Sequence, residues 1–357
     1  MTSAAAVRLR RWPAPFRAAL AIHSDADDAS VEDWRRILSA FHDAGVPATG
    51  VLFMWAPPPQ ASWFDDPQGG RTRDADALAS LVRSGMIDAV HGLGDYNDAP
   101  PPQRAFAERA FTALEQAGIR LSVWTNHGNP RNAQNLLCRS GFGDIPGSPH
   151  YIGDLLRAHG VRFVWPQYLT HVIGQDRPCR PAEHYRTYTD RPAWRRHLAR
   201  IHPWIARRLN IEPFEDNALL RRTALRDGTP VFTFRRYGIW KRDAATDLEW
   251  MFTPDRLERL IKTGGACVTY IHLARRGPPP RKTIEAIASR AGDIWIAPVS
   301  RLLRFAAVRD ALRWRTEPGR IVIERSEDPI LGAIPSAEDL QLLSFEDPLR
   351  RRVEVVP

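Results

Sequence analysis

The chain is poor in cysteine and lysine and has no long apolar run. Cys138, Cys179 and Cys267 are its only cysteines in 357 residues. An odd, widely spaced set with no CxxC pair excludes a disulfide framework and a cysteine-built zinc site, and it fits a reducing compartment. The N-terminus carries Arg8, Arg10 and Arg11, but the apolar run that follows, Ala18–Ile22, is too short for a signal-peptide core. No stretch approaches the roughly 20 apolar residues that cross a bilayer. These absences predict a cytoplasmic protein.

Lysine is limited to Lys241, Lys262 and Lys282, so arginine carries almost all of the net charge of +9. Arginine favours planar carboxylate and phosphate partners. The arginines are scattered and no recognition motif accompanies them, so nucleic-acid binding is not expected. Apolar content of 43% and charged content of 25% are those of an ordinary globular protein.

What is present is an alternation of strand and helix patterns. Short apolar runs read as buried strands at Ala18–His23, Ala48–Met54, Ile87–His91, Ile119–Thr125, Val161–Trp165, Pro230–Phe234, Ala266–His272 and Ile294–Ala297. Helical spacing falls between them: Val31, Trp34, Ile37, Leu38 and Phe41 share one face, with Ser30 and Asp33 as a capping box. Further helices are predicted over 74–84, 104–117, 152–159, 254–263, 282–290 and 299–312. Repeated βα units with apolar strands predict a parallel sheet covered by helices. The expected fold is α/β: a distorted βα barrel of seven or eight parallel strands over residues 1–313. It carries a long insertion at 166–229 and a small β appendage at 314–357, with strands at Arg320–Glu324, Leu340–Phe345 and Val353–Val356. Within the insertion, the run WRRHLARIHPWIARRLN is basic and amphipathic, consistent with a solvated cap or with membrane-surface contact.

In βα barrels, chemistry gathers at the C-terminal strand ends. The first strand ends in SDADD, bringing Asp25, Asp27 and Asp28; the third gives His91 and Asp95 within HGLGD. The fourth gives Asn126, His127 and Asn132, the sixth Arg235 and Arg236, and the seventh His272. Histidines thus end three of the strands, which turn and capping chemistry explains poorly. One metal ion needs about three N/O ligands and a free position. Asp27, His91 and Asp95 are candidates, the last two four residues apart, on one side of a helical turn. His127 and Asn126 suit the binding of sugar hydroxyls or an acyl oxygen. Strand alternation lets only one of Arg235 and Arg236 reach the site, and Arg235 is preferred.

SDADD, HGLGD and YIHL, in that order and at those strand ends, resemble the motifs of the polysaccharide deacetylase family (NodB homology, carbohydrate esterase family four). The resemblance runs from about Arg17 to Leu312. It implies a distorted βα barrel with one divalent metal ion, usually zinc, that hydrolyses N-acetyl or related groups. It further implies Asp25 as catalytic base, Asp27, His91 and Asp95 as metal ligands, and His272 as general acid. The family usually has histidine where this chain has Asp95. The more anionic set would favour manganese, iron or cobalt, and His127 is the alternative third ligand. The family's arginine motif is replaced here by HGNPRN. The expected activity is removal of an N-acyl group from an amino-sugar-containing substrate. The alternatives are hydrolysis of a small non-sugar amide or ureide, or an inactive carbohydrate-binding homologue.

Overall fold

A computed structural model describes residues 7–96, 100–128, 131–177, 217–240 and 242–356. The amphipathic run at 194–210 lies outside the described residues. The main sheet is built from β1 (Ala18–His23), β2 (Ala48–Leu52), β3 (Ile87–His91), β4 (Val123–Thr125), β5 (Phe163–Trp165), β6 (Leu220–Ala224), β7 (Pro230–Phe234), β8 (Ala266–Val268) and β9 (Ile294–Ile296). Its order is β8-β1-β2-β3-β4-β5-β7-β6, with β9 paired to the N-terminal half of β1. All neighbours are parallel except β6, which runs antiparallel to β7 and was not foreseen.

The helices α1 (Val31–Asp43), α2 (Ala75–Arg83), α3 (Arg104–Gln116), α4 (Gly153–His159), α5 (Pro254–Thr263), α6 (Arg281–Ala288) and α7 (Val299–Ala311) separate these strands. Strands covered on both faces must be apolar throughout, and every residue of β1 and β2 is buried. The helices instead bury one stripe: in α1 it is the predicted set Val31, Trp34, Ile37, Leu38 and Phe41. The expected capping box starts this helix, with Ser30 Oγ accepting from the Asp33 N–H and the Asp33 carboxylate accepting from the Ser30 N–H. Thr253 caps α5 through its side-chain oxygen, and Gly264, left-handed at φ 66°, ends it.

The barrel does not close. The sheet is a curled half-barrel of eight parallel strands among the described residues. Between β7 and β8 the gap is spanned by a two-residue parallel pair, Arg236–Tyr237 with Leu169–Thr170, and by an isolated bridge from Tyr237 to Thr269. The strand expected over Ala266–His272 keeps its ladder only to Val268 and continues as single bridges, Ser24 to Ile271 and Ala244 to His272. These loose strand ends lie where the polar residues collect.

In the C-terminal segment, β10 (Arg313–Glu317), β11 (Arg320–Glu324) and β12 (Arg352–Val356) form a three-stranded sheet. Of the strand expected over Leu340–Phe345, residues 340–342 instead end helix α8 (Ala337–Leu342), and Phe345 opens a two-residue strand, Phe345–Glu346. Ser336 and Asp339 form a reciprocal capping box there, and Arg304 of α7 clamps the Asp339 carboxylate with bonds of 2.9 and 2.7 Å. No described helix is long and apolar enough to cross a membrane.

Candidate metal centre

The C-terminal tips of β1, β3 and β4 converge on one carboxylate. Asp27 Oδ1 lies 3.6 Å from His91 Nε2 and 3.3 Å from His127 Nε2. Among the described residues these three form a group whose ligand atoms all lie within 4.8 Å of one another. Two ligand atoms each about 2.1 Å from one ion at tetrahedral or octahedral angles sit about 3.0–3.4 Å apart, so the spacing suits a single small cation. Asp27 Oδ1 is buried and accepts no hydrogen bond from the described residues. A buried carboxylate oxygen without a donor is costly, and a cation between it and two imidazoles removes that cost.

The histidines are held so that each offers the same nitrogen. His91 Nδ1 lies 2.8 Å from Thr125 Oγ1 and 3.2 Å from the Thr125 carbonyl oxygen. A proton on Nδ1 serves the carbonyl and leaves the Nε2 lone pair facing Asp27. The His127 Nδ1 meets the Asn132 carboxamide at 2.7 Å, and Asn132 Oδ1 is otherwise a buried acceptor with no donor among the described residues. With the amide oxygen toward the ring, Nδ1–H donates to it and both groups are satisfied. Phe53 fixes both rings, stacking on His91 at 5.1 Å and meeting His127 edge-on at 5.4 Å.

Asp95, expected as the third ligand, stands behind His127 instead. Its Oδ2 accepts from Gln60 Nε2 at 3.0 Å and its Oδ1 lies 3.9 Å from His127 Nδ1. The expectation assumed a helical turn after β3. The chain takes left-handed steps there, φ 56° at Gly92 and 61° at Leu93, and then passes against the Trp55 carbonyl. At Gly94 any Cβ would collide with that oxygen. The turn therefore carries the Asp95 carboxylate away from Asp27 and brings it to the far side of the His127 ring.

On the other side of Asp27 stands a second set of charges. His272 Nε2 is 3.4 Å from Asp27 Oδ2 and 3.9 Å from Asp25 Oδ2, while its Nδ1 is 3.3 Å from Asp243 Oδ2. Burial disfavours the His272 cation, but Asp243, Asp27 and Asp25 together win and push its pKa up to about 10. Asp25 is 2% exposed. Burial opposes its ionisation, yet the guanidinium of Arg236, with His91 and His272, holds its carboxyl below the usual carboxylate range. Asp27 is treated likewise: burial is outweighed by His127, His272 and His91, and its pKa lies well below the usual value.

Arg236 reaches the site, not Arg235. Its Nη1 donates to Asp25 Oδ1 at 2.6 Å, Nη2 to the His23 carbonyl at 2.9 Å and Nε to the Thr269 carbonyl at 2.7 Å. Arg235 turns the other way and donates to Asn217 Oδ1 at 3.1 Å. Alternation was the right rule, but the phase was not legible, because the short strand Arg236–Tyr237 starts its own pairing after β7 ends at Phe234. Asn126 is spent on its own loop: Oδ1 accepts from Trp124 Nε1 and the Leu136 N–H, and Nδ2 donates to the Leu136 carbonyl.

Asp243 and Arg275 escaped the sequence reading. Arg275 lies over the cluster with Nε 2.8 Å from Asp28 Oδ2, Nη2 3.3 Å from Asp27 Oδ2 and Nη1 3.6 Å from Asp243 Oδ1. Only its position three residues after His272 hinted at this. Asp243 sits in a loop with no motif around it, and no sequence signal marked it.

No family model and no curated protein matches this chain. Among solved structures, a candidate polysaccharide deacetylase from Mycobacterium smegmatis is similar at 14% sequence identity and a TM-score of 0.42, over 86% of this chain and 96% of that one.

Proposed function

We propose that the protein is a metal-dependent hydrolase that cleaves a carbon–nitrogen bond by removing an N-acyl group. The observation that carries this reading is the arrangement around Asp27: two imidazole nitrogens face one of its oxygens, and a carboxylate and a third imidazole stand beside the other. Asp27, His91 and His127 would hold one divalent ion, with zinc the first candidate for a carboxylate and two imidazoles. When bound, that ion supplies Lewis acidity toward a carbonyl oxygen and a water molecule.

The chain's own residues supply the proton chemistry. Asp25 is kept ionised by Arg236, and its Oδ2 is the oxygen not bound to that guanidinium, so Oδ2 accepts the proton of the attacking water. His272, whose pKa is raised by the neighbouring carboxylates, gives the Nε2 proton to the departing nitrogen. Asp243, beside Nδ1, orients the ring. Arg275 closes the mouth over Asp27 and Asp28 and draws off some of the excess negative charge. The proposed leaving group is an amino sugar. Trp240, half-buried and 4.8 Å from Tyr270, is the ring proposed to take a sugar face.

The test is turnover of a panel of N-acetylated amino sugars and simple N-acyl amines by protein stripped with a chelator and refilled with zinc, manganese or cobalt. Restored turnover with at least one metal supports the reading. Tight metal binding with no turnover on any member leaves a binding protein instead.

A further inference from the structure

We propose that the cavity behind the β3 turn is a binding site for an aromatic carboxylate. The cavity holds about 500 Å3, within the range of small-ligand pockets. Its walls include the rings of Trp55, Tyr96 and Phe106, together with Pro102, Ala105 and Arg109. Trp55 and Tyr96 are 4.9 Å apart and Tyr96 and Phe106 6.3 Å, each pair inclined, so the cavity is bordered by several ring faces and edges. Such walls take a planar aromatic body through offset and edge-on contacts.

Two buried donors in this lining have no acceptor among the described residues. Tyr96 is fully buried, yet its hydroxyl has no hydrogen-bond partner there, and the Nε of Arg109 is likewise buried and unpaired. Native structures rarely leave such groups without an explanation. The Arg109 guanidinium is stacked on Phe64 at 4.5 Å and anchored through Nη2 to the Asp66 and Pro67 carbonyls, so its charge is fixed at this wall. The fixed positive charge at this wall calls for an anionic group on the ligand. Among the described lining residues the one acid, Asp66, is exposed at the rim and already screened by water. An aromatic ring bearing a carboxylate meets both the ring-lined walls and the fixed positive charge.

The site is distinct from the metal cluster but shares a wall with it. The Asp95 N–H donates to the Trp55 carbonyl at 3.0 Å, and the Asp95 carboxylate backs His127, while the next residue, Tyr96, lines the cavity. Occupancy of the cavity therefore bears on the residue that supports a proposed ligand.

The test is calorimetric titration with phenylacetate, with acetate as the control that lacks the ring. Phenylacetate is expected to bind saturably at millimolar concentration or below and acetate not to bind. Ala105→Trp, an exposed position on α3 that fills the cavity, should abolish binding. Arg109→Met should weaken it about 5- to 10-fold through loss of the positive charge at the wall. Absence of phenylacetate binding, equal binding of acetate, or binding unchanged by Ala105→Trp overturns the proposal. The metal-ligand variant Asp27→Asn should bind phenylacetate as the parent does, which keeps this result separate from the fate of the hydrolase reading.

Discussion

Replacing Arg236 with methionine should destabilise the fold more than any change at the rim of the site. The side chain is wholly buried and Asp25 nearly so, at 0% and 2% side-chain exposure. Three hydrogen bonds are lost, at 2.6, 2.7 and 2.9 Å, and the guanidinium also leaves the faces of Trp165 and Tyr270 at 4.6 and 5.2 Å. Most of the cost comes from the carboxylate left behind. Removing one partner of a buried ion pair costs about 3–5 kcal/mol, because the remaining charge stays out of water and loses its nearest counter-ion. With Arg236 present, the folded pKa of Asp25 lies below its unfolded value, so its contribution is present above about pH 4 and lost as pH falls through the folded pKa. Without Arg236, the largest influence opposing burial is gone and the folded pKa rises, so the penalty is small in acid and grows as pH rises. Urea denaturation at pH 7 should therefore show the loss of about 3–5 kcal/mol, a smaller loss at pH 4.5, and recovery of a substantial part of it in Arg236→Met with Asp25→Asn. A loss under about 1 kcal/mol at pH 7, or a double variant no more stable than Arg236→Met, would refute the reasoning.

Three further outcomes follow from the same geometry. Asn132→Ala removes the partner of His127 Nδ1 and should weaken divalent-metal affinity about 10- to 100-fold without changing the number of ions bound, as read by competition with a chromogenic chelator. Asp25→Asn and His272→Ala should each lower kcat about 100- to 10,000-fold on any substrate the panel yields while the protein still loads metal; normal turnover in either would remove it from the proton-transfer scheme. Asp88, which accepts from the Ser300 N–H at the start of α7, has its pKa pushed up to about 6, chiefly by burial. A raised folded pKa gives stability that is full below about pH 4 and lost as pH rises through 6, so Asp88→Asn should gain about 1–3 kcal/mol relative to the parent between pH 4 and pH 8 in melting experiments.

The strands of the half-barrel were legible because burial on both faces leaves a mostly apolar run. Ala18–His23, Ile87–His91 and Pro230–Phe234 are predicted and observed with the same ends. The site was legible to the extent that strand tips carry it: Asp25, Asp27, His91, His127 and His272 do meet. What failed depended on loop conformation or long-range closure. The step from His91 to Asp95 looks helical as a spacing, but two left-handed residues decide where the carboxylate goes. The apolar run Leu340–Phe345 looks like a strand until the capping box at Ser336 starts a helix ahead of it. Barrel closure depends on whether β7 and β8 meet, and no local pattern encodes that. Asp243 and Arg275 enter from loops after the strands end, where spacing carries no geometric information.

Asp27, His91 and His127 are proposed to form one divalent-cation site, with Asp95 supporting it from behind. The most direct measurement is equilibrium titration of chelator-stripped protein with Zn2+, run in parallel on the parent, His127→Ala and Asp95→Ala. One ion per chain is expected in the parent, loss of tight binding in His127→Ala, and retained though weaker binding in Asp95→Ala. No Zn2+ binding by the parent, or tight binding that survives His127→Ala and disappears in Asp95→Ala, would contradict it.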